Sequence, residues 1–163
     1  MLWLQAILIN TALIAGAQRF PLLTPSGWVH AGVLGTVLWG CLGWQGWLAV
    51  VMYLAAGSLV TKIGWRDKEK RGLAEARGGR RSPANVWGSA ATGAALALLI
   101  GSGLEPKSLL LVGFSASFAA KLADTFGSEI GKRWGGQPRL ITTLQPVPAG
   151  TEGAISLEGT LAS

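Results

Sequence analysis

The chain has 163 residues, of which half are hydrophobic and only 13% are charged, whereas an ordinary soluble domain has about 25% charged residues. This composition excludes a disordered chain, and a single cysteine excludes a disulfide scaffold. The net charge is +6, but Arg19 is the one charged side chain between Met1 and Thr61, too few for a soluble surface. The sequence therefore predicts an integral membrane protein.

Five segments approach the length of about 20 mainly apolar residues that a helix needs to cross a bilayer. In chain order they are Met1–Ala17, Trp28–Trp44, Gly46–Ile63, Val86–Leu104 and Ser108–Gly131. A sixth apolar segment begins at Ile155, close to the last residue. We therefore expect an all-α, multi-pass transmembrane helix bundle with about five spans plus the start of a sixth. It would form a single domain over residues 1–163 that is incomplete at the C-terminus.

The distribution of basic residues predicts the orientation of these spans. Residues 62–81 contain eight basic and three acidic side chains, and loops rich in lysine and arginine stay in the cytoplasm. Counting spans from this loop places residues 64–85 and 132–154 on the cytoplasmic side. Because the basic residues adjoin spans and the tryptophans lie near span ends, we do not expect nucleic acid as a partner.

The fifth segment ends in a cluster of polar side chains. This cluster runs from Lys121 to Lys132, the residue after the segment. Its members are two lysines (Lys121 and Lys132), two carboxylates (Asp124 and Glu129) and two hydroxyls (Thr125 and Ser128). At about 100° per helical residue these groups share one broad face, and ionisable groups in a span commonly mark a functional site. Carboxylates suit Mg²⁺ and ammonium groups suit phosphate. The alternative interpretation is a buried ion pair between Lys121 and Asp124 that holds helices together.

Two loops carry weaker signals for phosphate binding. In residues 146–153 prolines and glycines enclose Thr151, which can donate to a phosphate, while Glu152 or Glu158 can reach a metal ion; a turn with a capping threonine is the alternative. Residues 72–81 hold Arg77, Arg80 and Arg81, which can clamp a nucleotide or a lipid phosphate. A basic juxtamembrane loop attracted to anionic lipid is the alternative there.

These motifs occur in the order found in a known membrane family. They are Glu75 with Gly78-Gly79-Arg80-Arg81, Asn85-Val86, Lys121 to Lys132, Pro138-x-Leu140-Ile141-Thr142-Thr143 and Gly150-Thr151-x-Gly153-x-x-Ser156. The chain resembles the integral membrane family that includes the phytyl-phosphate kinases of tocopherol and phylloquinone synthesis, and cyanobacterial members in particular. It is more distantly similar to the cytidylyltransferases that make CDP-lipids and to polyprenol kinases that use CTP.

The resemblance implies a transferase that uses CTP and Mg²⁺ to convert phytyl phosphate to phytyl diphosphate, in a cyanobacterial plasma or thylakoid membrane. Its partners would be an isoprenoid alcohol phosphate, a nucleotide and membrane lipids. It implies catalytic roles for Lys121, Asp124 and Lys132, and metal binding by Asp124, Glu129 and Glu158. Nucleotide and phosphate binding would fall to Arg80, Arg81, Asn85, Thr125, Ser128, Gly150, Thr151 and Gly153.

Three other functions remain open at this point. The chain can be a cytidylyltransferase that forms a CDP-lipid, a transporter with Lys121 and Asp124 as a proton or ion site, or a degenerate fragment without activity. The acceptor chain length, the nucleotide preference and a possible oligomer are also left open by the sequence.

Overall fold

The computed structural model describes residues 2–163 and is largely helical, which confirms the predicted all-α class. Met1, the first residue of the first predicted span, lies outside the described residues. The helices are α1 (Leu2–Ala17), α2 (Pro25–Lys62), α3 (Trp65–Lys70), α4 (Pro83–Gly101), α5 (Lys107–Trp134) and α6 (Leu157–Ala162), with a 3₁₀ turn at Ala76–Gly79. Two short strands, β1 (Arg139–Leu140) and β2 (Ala154–Ile155), pair antiparallel with Arg139 opposite Ile155.

Three of the described helices, α2, α4 and α5, are long and apolar enough to cross a membrane, and α1 is a shorter apolar helix. Helix α2 joins the second and third predicted segments across Gly43, whose φ of 72° is not helical. A Cβ added at Gly35 would lie 3.3 Å from Trp47 Cδ1, although in a straight helix these residues would be about 18 Å apart. The chain therefore reverses at Gly43, while the total of about five spans stays a prediction.

The chain forms two compact units. Unit 1 comprises Met1–Leu54 and Arg80–Ala119, and unit 2 comprises Ala55–Gly79 and Ala120–Ser163. In unit 1 small residues allow close packing: a Cβ at Gly93 would lie 2.6 Å from Phe118 Cε2, and one at Gly101 would lie 2.9 Å from Cys41 Sγ. Glycine at these positions therefore lets helices approach, as expected for packing in lipid.

In unit 2 the short helix α6 packs against the second half of α5 through glycines. A Cβ at Gly159 would lie 2.6 Å from the carbonyl oxygen of Gly127 and 3.3 Å from Gly131 Cα. Ser156 caps α6, since its Oγ accepts a hydrogen bond of 3.1 Å from the Gly159 N–H. This close contact, together with the β1–β2 pairing, returns the segment between the strands to the polar part of α5.

Candidate functional site

Unit 2 contains a cavity of about 530 Å³ whose walls come from α5, from the loop between β1 and β2, and from α6. Cavities of this size hold small molecules and cofactors. Eight polar side chains contribute to its wall, namely Asp124, Ser128, Lys132, Thr151, Glu152, Ser156, Thr160 and Ser163. Hydroxyls, carboxylates and an ammonium group thus converge on one space, which suits an ionic ligand such as a phosphate ester with its counter-cation.

This cavity brings together two of the predicted constellations. Asp124, Ser128 and Lys132 from α5 face the same space as the Gly150–Gly153 loop. Gly150 has a φ of 88° and Gly153 a φ of 75°, a left-handed conformation that glycine adopts without strain. Within the loop the Thr151 hydroxyl donates a hydrogen bond of 2.8 Å to Pro148 O. Thr151 therefore closes a turn, as the alternative interpretation expects, and also lines the cavity.

Four predicted residues of unit 2 lie outside the described lining of this cavity: Lys121, Thr125, Glu129 and Glu158. The Lys121 Nζ is 4.0 Å from Asp124 Oδ2 and both side chains are exposed, so the buried ion pair of the alternative interpretation is not formed. The Thr125 hydroxyl donates to Lys121 O within its own helix. Glu158 Oε2 accepts a hydrogen bond of 3.4 Å from the Gly136 N–H.

Glu129 is buried in an ion pair that the sequence did not reveal. Its partner is Lys68 of α3, whose side chain is 0% exposed while that of Glu129 is 4% exposed. The Lys68 ammonium also donates 2.9 Å to Thr61 O. One Glu129 oxygen takes the Lys68 ammonium and the other lies 3.2 Å from Lys132 Nζ. Both Glu129 oxygens are thus engaged by ammonium groups in this structure. Its metal role stays a prediction.

Lys132 is held in the cavity wall from several directions. Its Nζ donates 2.9 Å to Glu75 Oε1 and 3.2 Å to Glu129 Oε1. Its carbonyl oxygen accepts a hydrogen bond of 3.0 Å from Arg71 Nη1. The basic loop thus supplies two of the contacts that fix the lysine, through Arg71 and Glu75. Glu75 belongs to one of the sequence motifs, but it lies 57 residues from Lys132 and no periodicity predicts their contact.

The carboxylates in this cavity fit a cation that is bound together with phosphates. Among residues 2–163 no group of three or more histidine, cysteine or carboxylate side chains is placed to enclose a metal ion. Mg²⁺ commonly takes one or two carboxylates and completes its coordination with water and substrate phosphates. Asp124 and Glu152 both line the cavity, and the Asp124 side chain is 69% exposed. These two residues would hold Mg²⁺ with a nucleotide.

The other predicted residues belong to unit 1. Arg81 and Asn85 line a second cavity of about 270 Å³, whose wall is mainly apolar, while Arg80 is exposed. Asn85 Oδ1 accepts 2.9 Å from the Ser82 N–H and 2.8 Å from the Ser82 hydroxyl, which completes the capping box of α4. Arg81 Nη1 donates 3.1 Å to the hydroxyl oxygen of Tyr53, a residue that no sequence motif singles out.

The described residues combine long apolar helices with a polar cavity in unit 2 and a mainly apolar cavity that contains a guanidinium in unit 1. They define a multi-pass membrane protein with candidate binding sites for charged ligands. The chain belongs to the family described as integral membrane protein DUF92, whose sequence profile matches residues 8–163. The predicted membership of this membrane family and the integral membrane location are thereby confirmed.

Three relatives illustrate the range of this family. The chain is 55% identical to "Uncharacterized membrane protein sll0875" of the cyanobacterium Synechocystis over 98% of the chain and 63% of that protein. It is 46% identical to "Protein VTE6, chloroplastic" of Arabidopsis thaliana over 86% of the chain and 43% of that protein. It is 31% identical to "Uncharacterized membrane protein MJ0933" of Methanocaldococcus jannaschii over 96% of the chain and 63% of that protein.

The chain thus spans between 43% and 63% of the length of these curated relatives. Relatives from a cyanobacterium and from a chloroplast agree with the predicted setting in a cyanobacterial membrane. No solved structure matches the chain.

Proposed function

We propose that this protein is a membrane-embedded prenyl-phosphate kinase that transfers the terminal phosphoryl group of CTP to phytyl phosphate. An oxygen of the acceptor phosphate would form the new bond to the terminal phosphorus of CTP. The bond from that phosphorus to the bridging oxygen would break, releasing CDP and phytyl diphosphate. The family membership and the ordered motifs support this class of reaction. The observation that carries it is the cavity of unit 2, where Asp124, Ser128 and Lys132 meet the Gly150–Gly153 loop.

Lys132 is suited to neutralise phosphate oxygens. Phosphoryl transfer depends mainly on positioning the reactants and on stabilising the charge on the transferred group. The Lys132 ammonium lies in the cavity wall between Glu75 and Glu129. These contacts fix its position in advance, so less ordering is needed when a phosphate binds.

The remaining groups of the cavity divide between phosphate and cation. The Ser128 and Thr151 hydroxyls can donate to phosphate oxygens, and the glycines of the loop let a ligand approach the backbone closely. Asp124 and Glu152 would hold Mg²⁺, which supplies charge neutralisation to the nucleotide phosphates when it is bound. The resemblance also implies roles for Lys121 and Glu158, but neither side chain belongs to the described lining of the cavity.

Product analysis tests this reaction. The purified chain in detergent receives Mg²⁺, CTP labelled at the terminal phosphate and phytyl monophosphate. We expect labelled phytyl diphosphate and CDP in equal amounts, and competition with unlabelled ATP, GTP and UTP measures the nucleotide preference. Release of pyrophosphate with formation of a CDP-lipid would overturn the kinase in favour of a cytidylyltransferase. Folded protein that gives neither product would overturn both enzymatic functions for this chain.

A further inference from the structure

The apolar cavity of unit 1 follows one face of α1. Asn10, Leu13, Ile14 and Ala17 all line it, and their spacing of three, four and seven residues places them on the same side of a helix. Seven residues of helix extend about 10 Å, so the cavity is an elongated slot. Its volume of about 270 Å³ lies just below the range of about 300–1,000 Å³ that encloses a whole drug-sized ligand. One chain of a lipid would therefore occupy it, rather than two.

A guanidinium group without an anionic partner lies in the wall of this slot. Arg81 is fixed through its backbone, because its N–H donates 2.9 Å to Leu22 O and its carbonyl accepts 3.0 Å from the Thr24 N–H. None of the carboxylates within residues 2–163 lies at ion-pair distance from it. A guanidinium has five N–H donors, and among the residues that the structure describes only Tyr53 accepts a hydrogen bond from one of them. The remaining donors match the oxygens of a phosphate.

Tyr53 holds this guanidinium in place. The Arg81 guanidinium lies 5.2 Å from the centre of the Tyr53 ring and donates to its oxygen. The Tyr53 hydroxyl in turn donates 2.8 Å to Ser89 Oγ of α4. Tyr53 is only 6% exposed, so its ring cannot turn freely. Tyr53 is therefore a positioning residue, which acts on a ligand through Arg81.

A second polar group of the wall also lacks a partner. Trp28 lines the slot and is 7% exposed. Its Nε1–H is buried and finds no acceptor in the part of the chain that the structure describes. A buried donor that is left unpaired costs about 1–3 kcal/mol, and an oxygen of a bound ligand would remove this cost.

The slot also contains polar groups that are already satisfied. Asn10 is 5% exposed, its Oδ1 accepts 3.0 Å from Trp47 Nε1–H, and its amide donates 2.8 Å to Ala6 O. This pair therefore offers little to a polar ligand, and the neighbouring side chains of the slot are aliphatic. The chemistry that fits the whole slot is a single apolar chain with one anionic head.

We propose that this slot binds the acceptor lipid, an isoprenoid phosphate monoester, with its phosphate on Arg81 and its chain against the apolar face of α1. The choice of acceptor rests on the proposed function. The same chemistry also describes one chain of a bulk anionic phospholipid. The two sources differ in headgroup, since a monoester presents a terminal phosphate to the guanidinium while a phospholipid presents a diester.

Binding without nucleotide tests the slot separately from catalysis. The full chain is placed in phosphatidylcholine nanodiscs, and tritiated phytyl monophosphate is titrated against it. We expect Arg81→Gln to weaken binding by at least about tenfold, because a hydrogen-bonded charge is lost. Arg81→Lys should recover part of the affinity, since lysine keeps the positive charge but lacks the paired N–H donors of a guanidinium. Arg19→Gln is the matched control, an exposed arginine of the same unit, and should change binding by less than about twofold.

The chain-binding part of the slot has its own matched pair of variants. Ala17 lines the slot, whereas Ala12 is an exposed position of the same helix outside the described lining. Ala17→Phe should therefore weaken binding by at least about tenfold through loss of space, and Ala12→Phe should leave it within about twofold. Tyr53→Phe should weaken binding by about three- to tenfold and leave the helical circular dichroism unchanged.

The outcomes separate this site from the reaction. Binding that depends on Arg81 and Ala17 without any phosphoryl transfer supports the slot and overturns the proposed function. Transfer with a KM for phytyl phosphate that neither Arg81→Gln nor Ala17→Phe changes overturns the slot and leaves the function standing. Displacement by phosphatidylglycerol as effective as that by unlabelled phytyl monophosphate would assign the slot to bulk anionic lipid and overturn the acceptor proposal.

Discussion

The two compact units treat charge in opposite ways. The wall of the slot in unit 1 is mainly apolar and holds one guanidinium, to which none of the described residues offers a carboxylate. Unit 2 instead joins Lys68, Glu129, Lys132 and Glu75 in an unbroken chain of ion pairs. A charge in an apolar setting needs a counter-charge. Under the proposal for the slot, a ligand performs that task in unit 1, whereas unit 2 performs it internally.

This contrast assigns different tasks to the two units under the proposed function. An unpaired cation with an apolar slot provides affinity for an amphiphile. A lysine that neighbouring carboxylates hold in a polar cavity provides a fixed positive charge for a reacting phosphate. Substitutions in unit 2 should therefore lower the kcat of transfer without changing lipid binding. Substitutions in the slot should weaken lipid binding and raise the KM for phytyl phosphate.

The largest effect is expected from Asp124→Asn. This change removes a cavity carboxylate that would share Mg²⁺ with the nucleotide, so transfer should fall by at least about 100-fold. Binding of phytyl monophosphate in nanodiscs should stay within about twofold, since Asp124 does not belong to the described lining of the slot. Glu69→Gln is the matched control, because it removes an exposed carboxylate of the same unit. Transfer that survives Asp124→Asn would place the reaction elsewhere.

The next effect is expected from Lys68→Met, which leaves Glu129 buried without its main partner. Breaking a buried ion pair costs about 3–5 kcal/mol, so thermal unfolding in detergent should begin at a clearly lower temperature. The double variant with Lys68→Met and Glu129→Met should regain much of the stability, because apolar side chains of similar size replace the pair.

Phosphoryl transfer by that double variant shows whether the Lys68–Glu129 pair only stabilises the fold or also positions Lys132. Lys132 would lose one of its two carboxylates, so its ammonium would be less well fixed in the cavity wall. We expect transfer to stay at least about tenfold below that of the unchanged chain, with KM for CTP raised. If transfer returned together with stability, the Lys68–Glu129 pair would serve folding alone and the proposed positioning of Lys132 would be wrong.

The helices could be predicted because their signals are local. The predicted span Ser108–Gly131 lies within α5, Lys107–Trp134, since length and apolar composition suffice to predict such a helix. The predicted break between Trp44 and Gly46 adjoins the reversal at Gly43, where a glycine adopts a φ of 72°. The number of helices that cross the bilayer is a different question, because it depends on the membrane as well as on the chain.

The contacts of the candidate sites could be predicted only in part. The polar face of α5 and the glycine loop were each visible as motifs, but the strand pairing and the Gly159 contact that unite them in one cavity follow from packing. Lys68 and Glu129 are 61 residues apart, and no periodicity relates them. Lys68 looked like one more basic residue of a cytoplasmic loop, and only its burial reveals its partner.

A smaller effect is expected from Gly159→Ala in unit 2. The added Cβ would lie 2.6 Å from the Gly127 carbonyl oxygen, so α6 must move away from α5 at a cost of about 1–3 kcal/mol. Thermal unfolding and transfer measure the result, and transfer should fall several-fold because α6 carries part of the cavity wall. Gly88→Ala is the control, since among the described residues its added Cβ would meet nothing within 4 Å beyond its own stretch of helix.

Gly88→Ala and Gly159→Ala should change the free energy of unfolding in opposite directions or leave only the second variant destabilised. Alanine in a helix interior is about 1 kcal/mol more favourable than glycine, so Gly88→Ala should leave the free energy of unfolding unchanged or raise it. Equal destabilisation by the two substitutions would mean that the close contact between α5 and α6 is not what holds the cavity wall.

The smallest effect is expected from Lys121→Met, and it tests how far the cavity defines the reaction site. Lys121 is an exposed side chain of α5 whose nearest carboxylate oxygen is 4.0 Å away, and exposed pairs of this kind add about 0.5 kcal/mol or less. The resemblance predicts a catalytic role, but the residue has no place in the described cavity wall. We therefore expect transfer within about threefold for Lys121→Met and a loss of at least about 100-fold for Lys132→Met. Equal losses would show that both lysines reach the phosphates, so the polar face of α5 that the sequence predicts would define the site better than the cavity does.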